Sequence, residues 1–264
     1  MRIGLCQLTA TTDPEENLAA VQDHVRRAAR DGARLVVFPE ASMVRFGVPL
    51  GQVAQPLDGP WAEGVRAVAR ETGVTVVAGM FTPASDGRVA NTLLATGPTV
   101  EESYDKIHLY DAFGFKESDT VAAGSRVVTL DVDGVRVGLA TCYDLRFPEL
   151  FRAHADAGAA LSVLPAAWAA GPGKQAQWDL LVRARALDAT VWLVAVDQCG
   201  SGPGADPEEP TAAPTGVGHS TLVGPDGTVR AQLGDGPELL VAEADIEETA
   251  RVRRAVAVLD NRRL

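Results

Sequence analysis

Two runs in this chain, Leu35-Val36-Val37-Phe38 and Val191-Trp192-Leu193-Val194-Ala195-Val196, are apolar from end to end. A strand with one wet face alternates polar and apolar residues, so an unbroken apolar run belongs to a strand covered on both faces. Helical segments supply the cover. Asp13-Pro14-Glu15-Glu16 offers a cap, a first-turn proline and a reciprocal carboxylate for a helix whose Leu18, Val21, Val25 and Ala28 share one face, with Gly32 as its stop. Further helices are predicted over Trp61 to Glu71, Pro148 to Ala157 and Gln175 to Ala189.

Between them lie strands at Arg2 to Leu8, Val74 to Ala78, Val135 to Thr141, Ala160 to Leu164 and Leu239 to Ala242, with β segments from Ala90 through Tyr104. Hairpins are expected at Asp133-Gly134 and at Pro225-Asp226-Gly227. A loop is read from Lys106 to Gly124, another over 200–218, and a charged tail from about 245 to 264 carries Arg251, Arg253, Arg254, Arg262 and Arg263. This pattern predicts an α/β chain in which two sheets pack together with helices outside each. No repeat or linker divides it, so residues 1–264 are expected to form one domain.

Composition narrows the function. A formal net charge of -11 removes the basic footprint of a nucleic-acid binder. Cys6, Cys142 and Cys199 show neither zinc nor disulfide spacing, which suits a reducing compartment. The N-terminus runs quickly into Asp13, Glu15 and Glu16 and lacks a secretory apolar stretch. The most apolar internal segment, Ala157 to Gly171, is broken by Pro165 and does not resemble a membrane span. A cytoplasmic protein without membrane or nucleic-acid partners is expected.

Cys142 is placed at the end of an apolar strand and is followed by Tyr143-Asp144-Leu145-Arg146, where a thiol is held by rigid structure and completed by loops. Read alone it is either a small buried hydrophobe or a nucleophile. Glu40 follows the apolar strand and Pro39, and reads as a solvated carboxylate or as a general base screened from water. Lys106 follows the strand-like segment ending at Tyr104; beside a thiol, its charge would favour thiolate and its N–H groups would serve an oxyanion. A Cys-His pair with His24, His108, His154 or His219 is the competing arrangement.

Three ordered words, Phe38-Pro39-Glu40, Lys106-Ile107-His108-Leu109-Tyr110 and Cys142-Tyr143-Asp144-Leu145-Arg146-Phe147-Pro148-Glu149-Leu150, together resemble the nitrilase superfamily, the carbon-nitrogen hydrolases. The likeness continues through Pro165-Ala166-Ala167-Trp168 and Ala184-Arg185-Ala186-Leu187 to Gly218-His219-Ser220-Thr221. It implies a four-layer α-β-β-α sandwich, Glu40 as general base, Lys106 as stabiliser of the tetrahedral intermediate and Cys142 as nucleophile. Glu117, in Phe115-Lys116-Glu117-Ser118, matches the second glutamate that positions the lysine, and the Tyr143 N–H would be the other oxyanion donor. No metal or organic cofactor is implied, and a homodimer packed through the helices after Cys142 is. On the Gln175 to Ala189 helix, Trp178 and Leu181 share the face that hints at such a contact.

The word around Cys142 looks most like the branch of ω-amidases and deaminated-glutathione amidases, which favours a small-molecule primary amide of a short acid, cleaved with release of ammonia. Hydrolysis of an N-carbamoyl group and acyl transfer use the same constellation, and a silent binding scaffold would keep the fold without it. Arg146 is a candidate to neutralise a substrate carboxylate or, preferably, to pair with Glu149 in a structural role. Phe113, Phe115, Tyr143 and Trp168 are candidates for the pocket wall. Two departures stand out: His219 replaces a small residue, and Val196-Asp197-Gln198-Cys199 replaces an Ala-Asn-Arg type of word.

Overall fold

The computed structural model describes residues 1–200 and 214–263; most of the loop expected over 200–218 therefore lies outside the described residues. The chain begins with β1 (Arg2–Gln7), α1 (Pro14–Arg30), β2 (Leu35–Val37), α2 (Leu50–Val53), α3 (Pro60–Thr72), β3 (Thr75–Pro83), β4 (Val89–Thr96) and β5 (Glu101–Asp105). Short strands β6 (Asp111–Ala112), β7 (Phe115–Lys116) and β8 (Val121–Ala122) precede a hairpin of β9 (Thr129–Val132) and β10 (Val135–Leu139). Then follow α4 (Pro148–Asp156), β11 (Leu161–Ala166), α5 (Lys174–Ala189), β12 (Trp192–Asp197), β13 (Thr221–Val223), β14 (Val229–Gln232), β15 (Glu238–Glu243) and α6 (Glu247–Val256).

Two mixed sheets result. The first runs β15-β1-β2-β3-β4-β5 with β8 added beside β4, and the second runs β14-β13-β12-β11-β10-β9. In each, three parallel strands (β1, β2, β3 and β10, β11, β12) form the centre, and antiparallel neighbours extend it on both sides. The apolar runs split by parity as strand geometry requires. Leu35 and Val37 of β2 join Ile3 and Leu5 in the core between the sheets, against Val137, Leu139 and Val163. Val36 and Phe38 point the other way, toward Val21, Val25, Val65 and Val68 of α1 and α3. With α4 and α5 covering the second sheet, the order is α-β-β-α.

Local chemistry sets several boundaries. Asp13 caps α1 by accepting from Glu15 N at 2.8 Å, while Glu16 turns to the Thr11 hydroxyl at 3.0 Å, so the expected reciprocal capping box does not form. Asp133 (φ 52°) and Gly134 (φ 81°) make the β9–β10 turn with both residues left-handed, as a two-residue hairpin matching the strand twist demands. The charged tail is a correction to the sequence reading. Acidic Glu247 and Glu248 open α6, and basic Arg253 and Arg254 close it, both in the sense that favours the helix dipole. Arg253 then donates to Ala159 O at 2.7 Å and Arg262 grips Asp156, which docks the segment. Among the described residues no helix is long and apolar enough to cross a membrane.

His154 on α4 is fully buried, its Nδ1 3.1 Å from Ser162 Oγ. Its ring fits only because residue 138 is glycine: a Cβ there would lie 2.3 Å from the ring. Burial lowers the His154 pKa from 6.5 to about 4. The unfolded chain keeps the ordinary value, so it takes up the proton first as pH falls. This contribution to stability is complete above pH 6.5 and is lost progressively toward pH 4. Urea denaturation at pH 7.5 and pH 5.0 should show a loss of about 2 kcal/mol from this group, at about 1.4 kcal/mol per pH unit. His154→Gln should remove that increment, and equal pH slopes in the two proteins would refute it.

Candidate active site

Glu40 lies just beyond β2, where the chain still follows the sheet: Phe38 N donates to Val77 O at 2.8 Å and Met43 N to Gly79 O at 3.0 Å. Gly79 permits this close approach, since a Cβ there would lie 2.7 Å from Ala41 N and 2.9 Å from Glu40 Cα. Held flat against β3, the turn drives the Glu40 side chain between the sheets, and the residue is fully buried. Neighbouring Ala41 adopts φ 57°. The solvated alternative for Glu40 is thereby excluded.

Lys106, just after β5, donates from its backbone to Asn91 O at 2.9 Å and enters the same space at 2% exposure. Its Nζ is 2.9 Å from Glu40 Oε1 and 2.9 Å from Glu117 Oε2. Asn91 Nδ2 donates to both carboxylates, at 2.7 Å to Glu40 and 3.2 Å to Glu117. Backbone donors complete the set: Ala167 N to Glu40 Oε2 at 2.9 Å, and Tyr110 N to Glu117 Oε2 at 2.6 Å. Burial by itself would strip the proton from Lys106, but the Glu117 and Glu40 carboxylates, with Cys142, outweigh it and hold the pKa well above the ordinary lysine value. The ammonium is therefore permanent, and Glu117 fixes where it points.

Cys142 reaches the cluster from the second sheet. The β10 ladder ends at Leu139, and Cys142 opens a 3-10 turn spanning Cys142–Arg146, so the strand predicted to run to Thr141 is shorter by two residues. Its φ is 46°, a left-handed conformation that costs a non-glycine residue about 1–3 kcal/mol and must be imposed by its surroundings. Asp144 supplies the imposition. Its carboxylate accepts from Thr141 N at 2.8 Å, Tyr104 OH at 2.6 Å and His108 N at 3.1 Å, with His108 Nδ1 at 2.7 Å. His108 is thus bound to Asp144, away from the thiol, and the Cys-His alternative finds no support among the described contacts.

The thiol is 7% exposed with Sγ 3.8 Å from Ala167 O. Burial, reinforced by the Glu40 carboxylate and opposed by Lys106, pushes its pKa well above that of an ordinary cysteine. The direction of the shift favours the neutral thiol, with the Glu40 carboxylate beside it. The Tyr143 N–H stands at the start of the 3-10 turn, where opening amides have no carbonyl within the turn to bond.

The pocket in front of the sulfur has a volume of about 400 Å³ including its mouth, and is walled by Phe46, Tyr110, Phe115, Tyr143, Arg146 and Trp168. Phe113 is not part of the wall: it sits at the tip of the β6–β7 hairpin, 74% exposed. The expected Arg146–Glu149 pair is also absent among the described residues. Glu149 opens α4 on the solvent side, whereas Arg146 turns inward, donating to Gln177 Oε1 at 2.8 Å with its guanidinium carbon 4.9 Å above the Trp168 ring.

Four residues near the cluster were given no role by the sequence, although Asp197 and Gln198 stood in a word already marked as a departure. Asn91 bridges the two glutamates, and its only signal was an amide inside a β segment, a place where Asn is disfavoured. Asp197 accepts from Trp168 N and Val217 N, each at 2.7 Å, and so ties the pocket wall to the chain resuming at residue 214. Gln198 accepts from Ala10 N and donates to Glu40 O, clamping the Glu40 backbone across the sheets. Asp197 meets its two N–H donors with separate oxygens, Oδ1 for Trp168 and Oδ2 for Val217, where an Asn would offer a single oxygen. Lys174 lines the mouth beside Arg146. His219, the other departure, is in a left-handed conformation with Nε2 2.7 Å from Asp235 Oδ1 on an outer loop, and it is not among the pocket-lining residues.

A buried thiol, two carboxylates and a lysine in the seam of a four-layer α-β-β-α sandwich define a class of enzymes that hydrolyse non-peptide carbon-nitrogen bonds. The chain belongs to the carbon-nitrogen hydrolase family, whose model matches residues 2–254. A protein from Mycobacterium tuberculosis named only as a hydrolase is 53% identical over 99% of this chain and 95% of its own length. The deaminated glutathione amidase of Escherichia coli O157:H7 is 36% identical over 100% of this chain and 97% of its own. The crystal structure of Saccharomyces cerevisiae Nit3, a member of branch 10 of the nitrilase superfamily, superposes with a TM-score of 0.85 at 25% identity, covering 100% of this chain and 97% of that one. The chain is a hydrolase of the amidase kind.

Proposed function

We propose that this chain cleaves a primary amide of a small carboxylic acid, in the manner of an ω-amidase or deaminated-glutathione amidase, through a thioester on Cys142. The observation that carries the reading is the single buried cluster in which Lys106 joins Glu40 to Glu117 beside the neutral Cys142 thiol. Glu40 takes the thiol proton as Sγ attacks the amide carbonyl, and Lys106 Nζ with the Tyr143 N–H stabilises the oxyanion. The proton passes from Glu40 to the departing nitrogen, the C–N bond breaks and ammonia leaves. A water then gives its proton to Glu40 and attacks the thioester, releasing the acid and restoring the thiol. Glu117 contributes by fixing the Lys106 ammonium, and no step calls for a metal or organic cofactor.

Arg146 supports an acidic substrate. Its Nε is buried without a hydrogen-bond partner among the described residues, an arrangement that a bound carboxylate would relieve. Pairing of the C-terminal β15 with β1 supports reading the chain as one catalytic unit. The free cysteines Cys6, Cys142 and Cys199 suit a reducing, cytoplasmic setting. On α5, Trp178 packs inward while Leu180 and Leu187 stand 67% and 43% exposed seven residues apart, an apolar face that favours the homodimer reading in place of the Trp178–Leu181 face.

The test is hydrolysis of a panel comprising 2-oxoglutaramate, deaminated glutathione, N-carbamoyl amino acids and nitriles, scored for acid and for ammonia or amine. The ω-amide or the deaminated peptide should turn over at least about a hundredfold faster, in kcat/KM, than the carbamoyl compounds and nitriles. Silence on both amides, or preference for the carbamoyl group, would overturn the assignment.

A further inference from the structure

The charges lining the pocket separate into two layers. The inner one, Glu40, Glu117 and Lys106, is internally paired. The outer one holds Arg146 and Lys174, and neither has a carboxylate partner among the described residues. Two uncompensated cations at one mouth are conspicuous in a protein whose formal net charge is -11.

Lys174 is badly placed for a purely structural role. It is the first residue of α5, a 16-residue helix with no acidic residue in its first turn, where the dipole disfavours positive charge. Desolvation, then repulsion from Arg146, lowers its pKa. What holds it is the Phe113 ring, 3.5 Å from Nζ. Phe113 in turn occupies the first position of the two-residue β6–β7 turn at φ 54°, followed by Gly114 at φ 82°. A bulky residue is strained there, where Asn or Gly is at ease. The lysine and its aromatic rest are both kept in locally unfavourable states that converge on the pocket mouth.

We propose that Lys174 and Arg146 form a two-cation clamp for the distal carboxylate of the substrate, and that Lys174 is the specificity residue selecting amides that end in an acid over neutral amides. This rests on the amidase reading for its link to turnover. Arg146 meets the carboxylate with its planar fork and Lys174 adds a point charge from the helix end. A bound anion would satisfy the Arg146 Nε and offset both the dipole and the mutual repulsion of the cations.

The experiment uses Cys142→Ala protein, which binds without cleaving, titrated calorimetrically with glutaramate and with its methyl ester. The acid should bind at least about tenfold more tightly than the ester. Adding Lys174→Gln should weaken glutaramate binding about tenfold and ester binding less than about twofold, and Lys174→Arg should restore the acid to within about threefold. No preference for acid over ester, an equal loss for both ligands, or no loss at all would overturn the clamp. Turnover of glutaramate by the unmodified enzyme and by Lys174→Gln with Cys142 intact is followed in parallel. Acid-selective binding without turnover sinks the amidase reading and leaves the clamp, while turnover indifferent to Lys174→Gln does the reverse.

Discussion

Replacing Cys142 with Ala should lower amide hydrolysis by on the order of 10⁴-fold or more while leaving the fold intact. The size follows from the proposed chemistry. Without Sγ there is no thioester, and the route through water must use a base and an oxyanion site arranged around a nucleophile that is gone. The small structural cost follows from geometry. The φ of 46° at Cys142 is imposed by Asp144, Tyr104 and Thr141, not by the sulfur, which approaches Ala167 O at 3.8 Å and lies beside Glu40. A change in stability of about 1 kcal/mol is expected. Thermal melting alongside the activity assay checks both halves, and retained turnover would reject Cys142 as nucleophile.

Lys106→Met has the next largest effect and a different signature, because it strikes stability as well as rate. It removes the proposed oxyanion donor, worth about 10²–10³ in kcat. It also leaves Glu40 and Glu117, at 0% and 3% exposure, linked through Asn91 with no cation between them. Breaking a buried pair in this way costs about 3–5 kcal/mol. Lowering the pH should return part of that loss, since a proton taken up by one carboxyl in the folded variant relieves the repulsion. Urea denaturation at pH 7.5 and 5.5 reads the sign: the deficit relative to the unmodified enzyme shrinks in acid. A variant as stable as the parent at both pH values would show that the cluster is not held together by charge.

Much of the frame was legible because its signals are local. The apolar runs at 35–38 and 191–196, the Asp13-Pro14 start of α1 and the Asp133-Gly134 turn each carry their cause within a few residues. The segment from 106 to 124 was read as loop because β6, β7 and β8 span only two residues each, too short to show a period, and β8 owes its pairing to the distant Val89. The density of charge over 247–256 hid α6, whose anchor is the remote Ala159 carbonyl.

The site followed the same rule. Three words marked where Glu40, Lys106 and Cys142 stand, and the structure brings those residues and Glu117 together. Asn91, Asp197 and Lys174 could be weighed only once their neighbours were known. Arg146 turned inward, away from Glu149, because the direction of a side chain leaving a 3-10 turn is set by tertiary contacts with Gln177 and Trp168. Phe113 left the wall because its hairpin lifts it off the sheet.

The seam between the sheets has a consequence for the life of the molecule. Glu40 and Lys106 belong to the half built on β1 to β5, while the sulfur and the Ala167 amide belong to the half built on β10 to β12. Neither half alone owns a working centre, so turnover counts finished molecules. Any parting of the halves breaks the 2.9 Å contact from Ala167 N to Glu40, so the proposed hydrolysis is expected to fail on mild denaturation before the strands of either sheet come apart.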